Sequence, residues 1–245
     1  MKIMVINPNS SEQMTHHLDV VLQAIKGPDT ELTVCCPKGG PMAIESAMDE
    51  ALCIPGMLKL VEQAEADGYD AVILACFSDP GLEQAREVVS ILVTGIQEIA
   101  LHVATMMGHK FSILTLNKER VPSKERGVGR YSVEIALASV RPIGLSVAES
   151  DANPDLARER IKAVAKVCAE EDGAEVAVLG CAGMAGYAED VKAALGMEVI
   201  DPSSVALKVT EALVACGIKP SKRGLYAYPP SFIRAGKVKN PGCNG

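Results

Sequence analysis

Two stretches of this sequence, Asp70-Ala-Val-Ile-Leu-Ala-Cys76 and Glu175-Val-Ala-Val-Leu-Gly-Cys181, share one pattern: an acidic residue, an uninterrupted apolar run and a cysteine. A short, fully apolar run is typical of a strand buried on both faces, as in a parallel sheet. The opening residues 2–7 similarly resemble residues 110–115. The chain therefore repeats itself, and we predict two lobes of similar build.

The pattern along the rest of the chain predicts an α/β fold. Short apolar runs alternate with longer helical patterns, which indicates βαβ units around a parallel sheet. The predicted strands cover residues 3–6, 31–35, 71–75, 111–115, 141–145, 176–180 and 198–200. The predicted helices cover residues 12–25, 46–66, 83–88, 99–107, 154–171, 188–195 and 204–215.

These elements predict two pseudo-symmetric lobes, each a mostly parallel sheet flanked by helices, with the active site in the cleft between them. The first lobe of this prediction is residues 1–95, completed by residues 205–245. The second lobe is residues 96–204. The tail, residues 226–245, fits neither pattern and is expected to cover a subunit interface or to be mobile.

The composition excludes several classes of protein. With 48% hydrophobic and 22% charged residues the chain resembles an ordinary globular protein. No apolar run approaches the roughly 18 residues that a membrane span needs. A net charge of −7 repels phosphate backbones, and an aromatic content of 3% without Trp removes stacking platforms for bases. We therefore expect a small-molecule ligand and neither nucleic acid nor a membrane as partner.

The cysteines indicate a reducing compartment and no metal framework. There are eight, with no CxxC spacing and no Cys/His cluster of the zinc-finger kind, so no metal site is expected. The N-terminus reaches Asn7-Pro8-Asn9 before the apolar core of a signal peptide could develop. We expect a cytoplasmic protein whose thiols stay reduced, and a homo-oligomer.

Cys76 and Cys181 differ from the other cysteines in their position. Each ends an apolar strand of the repeat, and open α/β sheets bind ligands at the carboxyl ends of their strands. If the lobes face one another, both thiols converge on one cleft. The alternative is a duplication in which the two cysteines are ordinary buried residues.

The turn after each cysteine offers a reason for reactivity. Asp79 and Pro80 predict the start of a helix close to Cys76, whose N–H groups would lower the pKa of the thiol. After Cys181, the stretch Ala182-Gly183-Met184-Ala185-Gly186 has little side-chain bulk, so its amides can approach a ligand closely.

The stretch Asn7-Pro8-Asn9-Ser10-Ser11 follows the first predicted strand and opens the first predicted helix. Its short side chains and amides suit a polar group of a ligand. The alternative is that Ser10 or Ser11 only caps the helix.

Sequence motifs of other enzyme classes are absent. Gly180-x-x-Gly183-x-x-Gly186 lacks the GxGxxG spacing of dinucleotide-binding folds. The sequence contains no GxxxxGK[ST], HExxH or GxSxG motif either. Nicotinamide, ATP, zinc-protease and hydrolase chemistry therefore lack their usual support, and no cofactor is expected.

Four stretches together resemble the aspartate/glutamate/hydantoin racemase superfamily, and within it the hydantoin and allantoin racemase branch. They are Ile6-Asn7-Pro8-Asn9-Ser10-Ser11, Gly40-Pro41-Met42-Ala43-Ile44-Glu45-Ser46, Ala75-Cys76-Phe77-Ser78-Asp79-Pro80-Gly81-Leu82 and Gly180-Cys181-Ala182-Gly183-Met184. The resemblance spans roughly residues 1–216. The basic segment 117–130 follows the family pattern only loosely.

The resemblance implies a cofactor-independent racemase of 5-substituted hydantoins, allantoin included. One thiolate removes the α-proton while the opposite thiol protonates the other face, and the pair carried onto this chain is Cys76 and Cys181. Substrate-binding residues are expected in the matching loops and at Thr115, the symmetry counterpart of Asn7. They are Asn7, Ser10, Ser11, Pro41, Ile44, Ser78, Asp79, Thr115, Ala182, Gly183 and Met184.

Two other functions stay open at this point. One is a racemase or isomerase of amino acids or related carboxylates on the same scaffold, and the other is a non-catalytic binder of small ligands. A free amino acid calls for Arg or Lys, and the four matching stretches contain neither. The prediction of a hydantoin substrate would be less well supported if Lys118, Arg120 or Arg126 of the basic segment 117–130 reached the active site.

Overall fold

The structure, a computed structural model, describes residues 1–236. They contain two four-stranded sheets of parallel strands with the same strand order. The first sheet has the order β2-β1-β3-β4 and the second β6-β5-β7-β8. The strands are β1 (Lys2–Ile6), β2 (Glu31–Cys35), β3 (Ala71–Leu74), β4 (Leu92–Gly95), β5 (Phe111–Thr115), β6 (Leu137–Pro142), β7 (Val176–Leu179) and β8 (Glu198–Ile200).

Helices follow the strands and cover both faces of each sheet. They are α1 (Glu12–Ile25), α2 (Ala47–Ala66), α3 (Leu82–Val88), α4 (Ile96–Met107), α5 (Val121–Arg130), α6 (Val147–Ala152), α7 (Pro154–Glu170), α8 (Ala188–Leu195), α9 (Pro202–Ala215) and α10 (Pro230–Arg234). No helix in this part of the chain is both long enough and apolar enough to cross a membrane.

Three apolar clusters hold these layers together. One lies on the face of the first sheet that packs against α2 and α3, and another on the face of the second sheet that packs against α7 and α8. The third contains residues of both sheets together with α1, α4 and α9. Within β3, Ile73 belongs to this shared cluster while Val72 and Leu74 face the outer one. Burial on both faces explains why the run from Ala71 to Ala75 is apolar at every position.

The backbone hydrogen bonds place the two repeats in register. The amide of Ala75 donates to the Ile6 carbonyl at 2.8 Å, and the amide of Gly180 donates to the Leu114 carbonyl at 2.7 Å. The next residues, Cys76 and Cys181, are therefore structural equivalents, as are Asn7 and Thr115. The predicted two-lobe α/β architecture is confirmed.

The helices that connect the lobes cross between them. Helix α4 starts directly after β4 and packs against β7 and β8, whereas α9 follows β8 and packs back on β3 and β4. The completion of the first lobe by the chain after residue 205 stays a prediction. We retain the boundary between residues 95 and 96 as a proposal.

The two short helices α6 and α10 were not predicted, and three further elements differ from the predictions. The strand expected over residues 141–145 runs from Leu137 to Pro142, because its partly exposed side chains lack a continuous apolar run. Strand β4 was not predicted, since its four residues merge with the apolar start of α4. Helix α5 was not predicted either, because its sequence contains two glycines and a proline.

The chain after α9 packs on the first lobe. The 3-10 turn Gly224–Tyr226 contacts α3, and the Arg86 guanidinium donates to the Tyr226 hydroxyl at 3.2 Å. The described part of the predicted mobile or interfacial tail therefore contacts its own chain. Cys243 and the rest of the tail beyond residue 236 lie outside the described residues.

Candidate active site

A cavity of about 570 Å³ opens at the carboxyl ends of β1, β3, β5 and β7. In each sheet the first strand lies between the second and the third, so the strand order reverses at that point. Ligands of open α/β sheets bind at such switch points. The cavity is lined by Asn7, Asn9, Met14, Ile44, Glu45, Ala75, Cys76, Phe77, Ser78, Thr115, Leu116, Asn117, Arg120, Lys124, Val147, Gly180, Cys181 and Ala182.

Cys76 and Cys181 both line this cavity, one from each lobe. The Cys76 carbonyl accepts hydrogen bonds from the amides of Ser78 and Asp79, at 2.8 and 3.0 Å, and its Sγ lies 3.5 Å from the Ser78 hydroxyl. Cys181 leads into a 3-10 turn in which the Met184 amide donates to its carbonyl at 3.1 Å. Tight turns thus hold both thiols at the ends of their strands.

The prediction that Asp79 caps the helix after Cys76 is wrong. Helix α3 begins only at Leu82, after Gly81 in a left-handed conformation, with φ of 72°. Asp79 itself has a φ of 44° and caps α4 from a distance in sequence: its carboxylate accepts from the amides of Gln97 at 3.1 Å and Glu98 at 2.8 Å.

Gly95 makes this long-range cap possible. A Cβ at residue 95 would lie 2.3 Å from the Asp79 carboxyl carbon, so only glycine admits the side chain there. The Tyr131 hydroxyl donates to the same carboxylate at 2.6 Å. Burial nevertheless raises the pKa of Asp79 to about 6, against the lowering effect of these hydrogen bonds.

The predicted lowering of the Cys76 pKa by a nearby helix terminus is also wrong. Burial raises the pKa of the Cys76 thiol, and the charges of Glu50 and Asp79 raise it further. The Lys124 ammonium and the Ser78 hydroxyl act in the opposite direction. A side-chain cation, and not the helix after the cysteine, is therefore what favours a thiolate here.

Helix α5 brings two cations to the cavity that the four matching stretches lack. Lys124 is only 6% exposed, and its ammonium donates to the Phe77 carbonyl. Arg120, just before the helix, donates to a Glu50 carboxylate oxygen at 2.7 Å and to the Glu45 carbonyl at 3.1 Å. Of the three basic residues considered from sequence, Arg120 therefore reaches the site.

Lys118 and Arg126 are not among the residues that line the cavity. Lys118 is exposed, and Arg126 lines a neighbouring groove. The basic composition of residues 117–130 was the signal that could have pointed to Lys124. Nothing in that segment alone distinguishes a cation that faces a thiol from one that faces solvent.

Five of the predicted substrate-binding residues line the cavity: Asn7, Ile44, Ser78, Thr115 and Ala182. Asn7 is fully buried, and its Nδ2 donates to Asn9 Oδ1 at 2.7 Å and to Thr15 Oγ1 at 3.0 Å. The loop after β1 is therefore held by its own amides as well as by the sheet.

The other six predicted residues are not among those that line the cavity. Ser10 binds the neighbouring loop through the Pro41 carbonyl, with both its amide and its hydroxyl donating to it. Ser11 is the N-cap of α1 and accepts from the Met14 amide at 3.2 Å. Gly183 lines a separate cavity beside His17. The two others are Asp79, which caps α4, and Met184, which lies in the apolar cluster of the second sheet.

Several lining residues were missed by sequence reasoning and belong to the mouth of the cavity. The Glu45 carboxylate reaches across to α6, where the Val147 amide donates to it at 3.5 Å. Asn117 lines the cavity with a buried Oδ1 that has no hydrogen-bond partner. Within the described residues, no group of His, Cys, Asp and Glu is arranged to hold a metal ion.

Comparisons with known proteins show which family this chain resembles. A family model described as Asp/Glu/Hydantoin racemase matches residues 3–210. The hydantoin racemase of Rhizobium meliloti is 39% identical over 236 residues, which cover 96% of this chain and 98% of that protein. The hydantoin racemase of Pseudomonas sp. (strain NS671) is 36% identical over 244 residues, covering 100% of this chain and 98% of that protein.

A solved structure adds the fold to this likeness. The allantoin racemase from Klebsiella pneumoniae superposes with a TM-score of 0.91 at 36% identity, and the match covers 94% of each chain.

Proposed function

The chain belongs to the Asp/Glu/hydantoin racemase family, and on that premise we propose that it racemises 5-substituted hydantoins, allantoin among them, by proton transfer between Cys76 and Cys181. One observation carries the proposal. Two cysteines at equivalent strand ends, one from each lobe, line a single cavity.

The proposed reaction needs an acid and a base on opposite faces of one carbon. In one direction the Cys76 thiolate takes the hydrogen from C5 of the ring, and the electron pair moves onto the adjacent carbonyl as an enolate. The Cys181 thiol then gives its proton to the other face of C5 and becomes the thiolate. The opposite enantiomer uses the two groups in reverse. Thiols suit both roles because a thiol is a far stronger acid than a hydroxyl and its thiolate can act as a base, and the Lys124 ammonium opposes the rise in the Cys76 pKa that burial causes.

Neutral donors and acceptors around the cavity fit the rest of the ring. Asn7, Ser78 and Thr115 carry the polar side chains that the strand ends present. A hydantoin offers imide and ureido groups, which pair with such groups without a compensating charge. The amides of the turn after Cys181 provide donors for the oxygen on which the enolate charge develops.

The charges at the site favour a hydantoin over a free amino acid. A carboxylate substrate would need an available cation, but Arg120 is already paired with Glu50, and Lys124 donates to the Phe77 carbonyl. The Glu45 carboxylate at the mouth would repel a second carboxylate. The presence of Arg120 and Lys124 still keeps the carboxylate racemase as the competing candidate.

The test is a panel of enantiopure substrates followed by polarimetry: a small 5-alkyl hydantoin, allantoin, aspartate and glutamate. We expect loss of optical rotation for the hydantoins and none for the two acids. Hydantoins racemise slowly in water, so the Cys76→Ser variant supplies the matched background rate. Turnover of an acid with inert hydantoins would favour the competing candidate, and unchanged rotation throughout would indicate a binder. The cytoplasmic location and the homo-oligomer stay predictions.

A further inference from the structure

Lys124 is a buried cation in the wall of the cavity that Cys76 and Cys181 line. It projects from α5 into the cavity, where it is 6% exposed and lines the wall together with Cys76 and Cys181. Its ammonium donates to the carbonyl of Phe77, the residue directly after Cys76, and lies 5.1 Å from the centre of the Phe77 ring. The charge is therefore held in place beside the reacting thiols.

A lysine in such surroundings is costly, which calls for a reason. Burial lowers the pKa of Lys124, and the charge of Arg120 acts in the same direction. The negative charges that oppose this effect are those of Cys76, Cys181 and Glu50 when ionised. Both thiols thus contribute to keeping Lys124 protonated, which means that Lys124 favours the thiolate of each.

The other charges around Cys76 act against its ionisation. Glu50 on α2 and Asp79 in the turn after the cysteine both raise its pKa, as burial does. The charge of Lys124 lowers it, helped by the Ser78 hydroxyl. A two-thiol racemase must hold one thiolate and one thiol, with the roles exchanged after each turnover. A cation beside only one cysteine would favour one enantiomer's direction, whereas a cation shared by both serves either.

Building on the proposed function, we propose that Lys124 is a positioning residue whose ammonium charge stabilises the single negative charge shared by Cys76 and Cys181. Lys124 stays protonated throughout and transfers nothing. The proton moves from substrate to one sulfur and from the other sulfur to substrate, so the cysteine pair starts and ends each turnover with one proton. Lys124 acts through the thiols and not on the ring.

The test removes the charge while keeping the hydrogen bond. Lys124→Gln retains a donor for the Phe77 carbonyl, and Lys124→Arg retains the charge. Arg126→Gln is the matched control, because it removes an exposed cation from the same helix. The readout is the rate of alkylation by iodoacetamide, a neutral reagent, between pH 6 and 10 without substrate. Peptide mapping follows Cys76 and Cys181, with the exposed Cys216 as internal reference.

We expect Lys124→Gln to slow alkylation of both cysteines about tenfold at pH 7, which corresponds to a rise of about one pKa unit. The acid limb of kcat/KM for racemisation moves to higher pH by the same amount, so activity recovers in alkaline buffer. Lys124→Arg restores most of the effect, and Arg126→Gln leaves both profiles unchanged.

The proposal is overturned if Lys124→Gln lowers kcat while the alkylation profile stays that of the parent, because Lys124 would then act on the substrate directly. It is also overturned if only one cysteine changes. Since alkylation is measured without substrate, the result stands even where hydantoins prove inert. If Lys124→Gln fails to fold, Lys124→Met replaces it, with the same expected slowing of alkylation and the same overturning results. Loss of thiol reactivity in a folded Lys124→Arg variant, which keeps the charge, also contradicts the proposal.

Discussion

Gly180→Ala is expected to damage stability and activity together, because residue 180 lies directly before Cys181 and has no room for a side chain. A Cβ added there would lie 2.6 Å from the Leu114 carbonyl oxygen and 3.0 Å from Ile113 Cγ2. The Gly180 amide already donates to that same carbonyl at 2.7 Å. The oxygen can neither move toward residue 180 nor turn aside without breaking the bond.

The magnitude follows from these distances. A carbon–oxygen contact needs about 3.3 Å, so the ends of β5 and β7 must separate by roughly 0.7 Å. Overpacking of this kind costs about 1–3 kcal/mol, and a weakened backbone hydrogen bond adds about 1 kcal/mol. We therefore expect a loss of about 2–4 kcal/mol in the free energy of unfolding. Because misplacement of a reacting group by about 1 Å can cost about 10²-fold, a smaller shift of Cys181 should lower kcat at least about tenfold.

Urea unfolding and polarimetry measure the two effects. Gly129→Ala is the matched control, since Gly129 lies inside α5 with nothing within 4 Å of a new Cβ, and it should gain about 0.5–1 kcal/mol with unchanged kcat. The equivalent position in the first lobe is already alanine, Ala75, which fits there. If Gly180→Ala unfolds and turns over like the parent, the inferred register of β5 and β7 at this site is refuted.

Two further predictions concern the thiols and the cap of α4. Cys76→Ser and Cys181→Ser should each abolish racemisation, because a hydroxyl is a poor base at neutral pH. Each variant should still exchange the α-hydrogen of one enantiomer with deuterated solvent, which NMR can follow. Racemisation near the parent rate in either variant would exclude the two-thiol mechanism. Tyr131→Phe should lower the free energy of unfolding, measured in urea, by about 1–3 kcal/mol at pH 8 and by less at pH 5. The substitution removes a hydrogen-bond donor from the ionised Asp79 carboxylate, so the Asp79 pKa of about 6 would rise further. Stability that depends on the protonated Asp79 is lost as pH rises through that pKa. The control Tyr69→Phe removes a bond between two neutral hydroxyls, so its loss of stability should not depend on pH. A pH-independent loss in Tyr131→Phe would contradict this reasoning.

Much of the architecture was predictable because its signals are local. The apolar runs that end at Cys76 and Cys181 are buried on both faces, and burial on both faces is what removes polar residues from a strand. The same repeat predicted Thr115 as the counterpart of Asn7, and the backbone pairing places both at equivalent strand ends. A repeat in sequence carries over to structure in this way because equal strands pair in equal order.

The environment of the thiols depended on contacts that sequence spacing does not encode. Asp79 caps α4 and not the helix next to it, because Gly95 leaves room for its carboxylate and Tyr131 donates to it from the other lobe. Lys124 faces the thiols because α5, a helix of poor intrinsic propensity, is held by packing between the lobes. Local patterns predicted seven of the eight strands and the two cysteines that follow β3 and β7, but they missed β4. Only tertiary packing decided which charge reaches those cysteines, because electrostatic effects depend on distance in space and on burial, and neither follows from position along the chain.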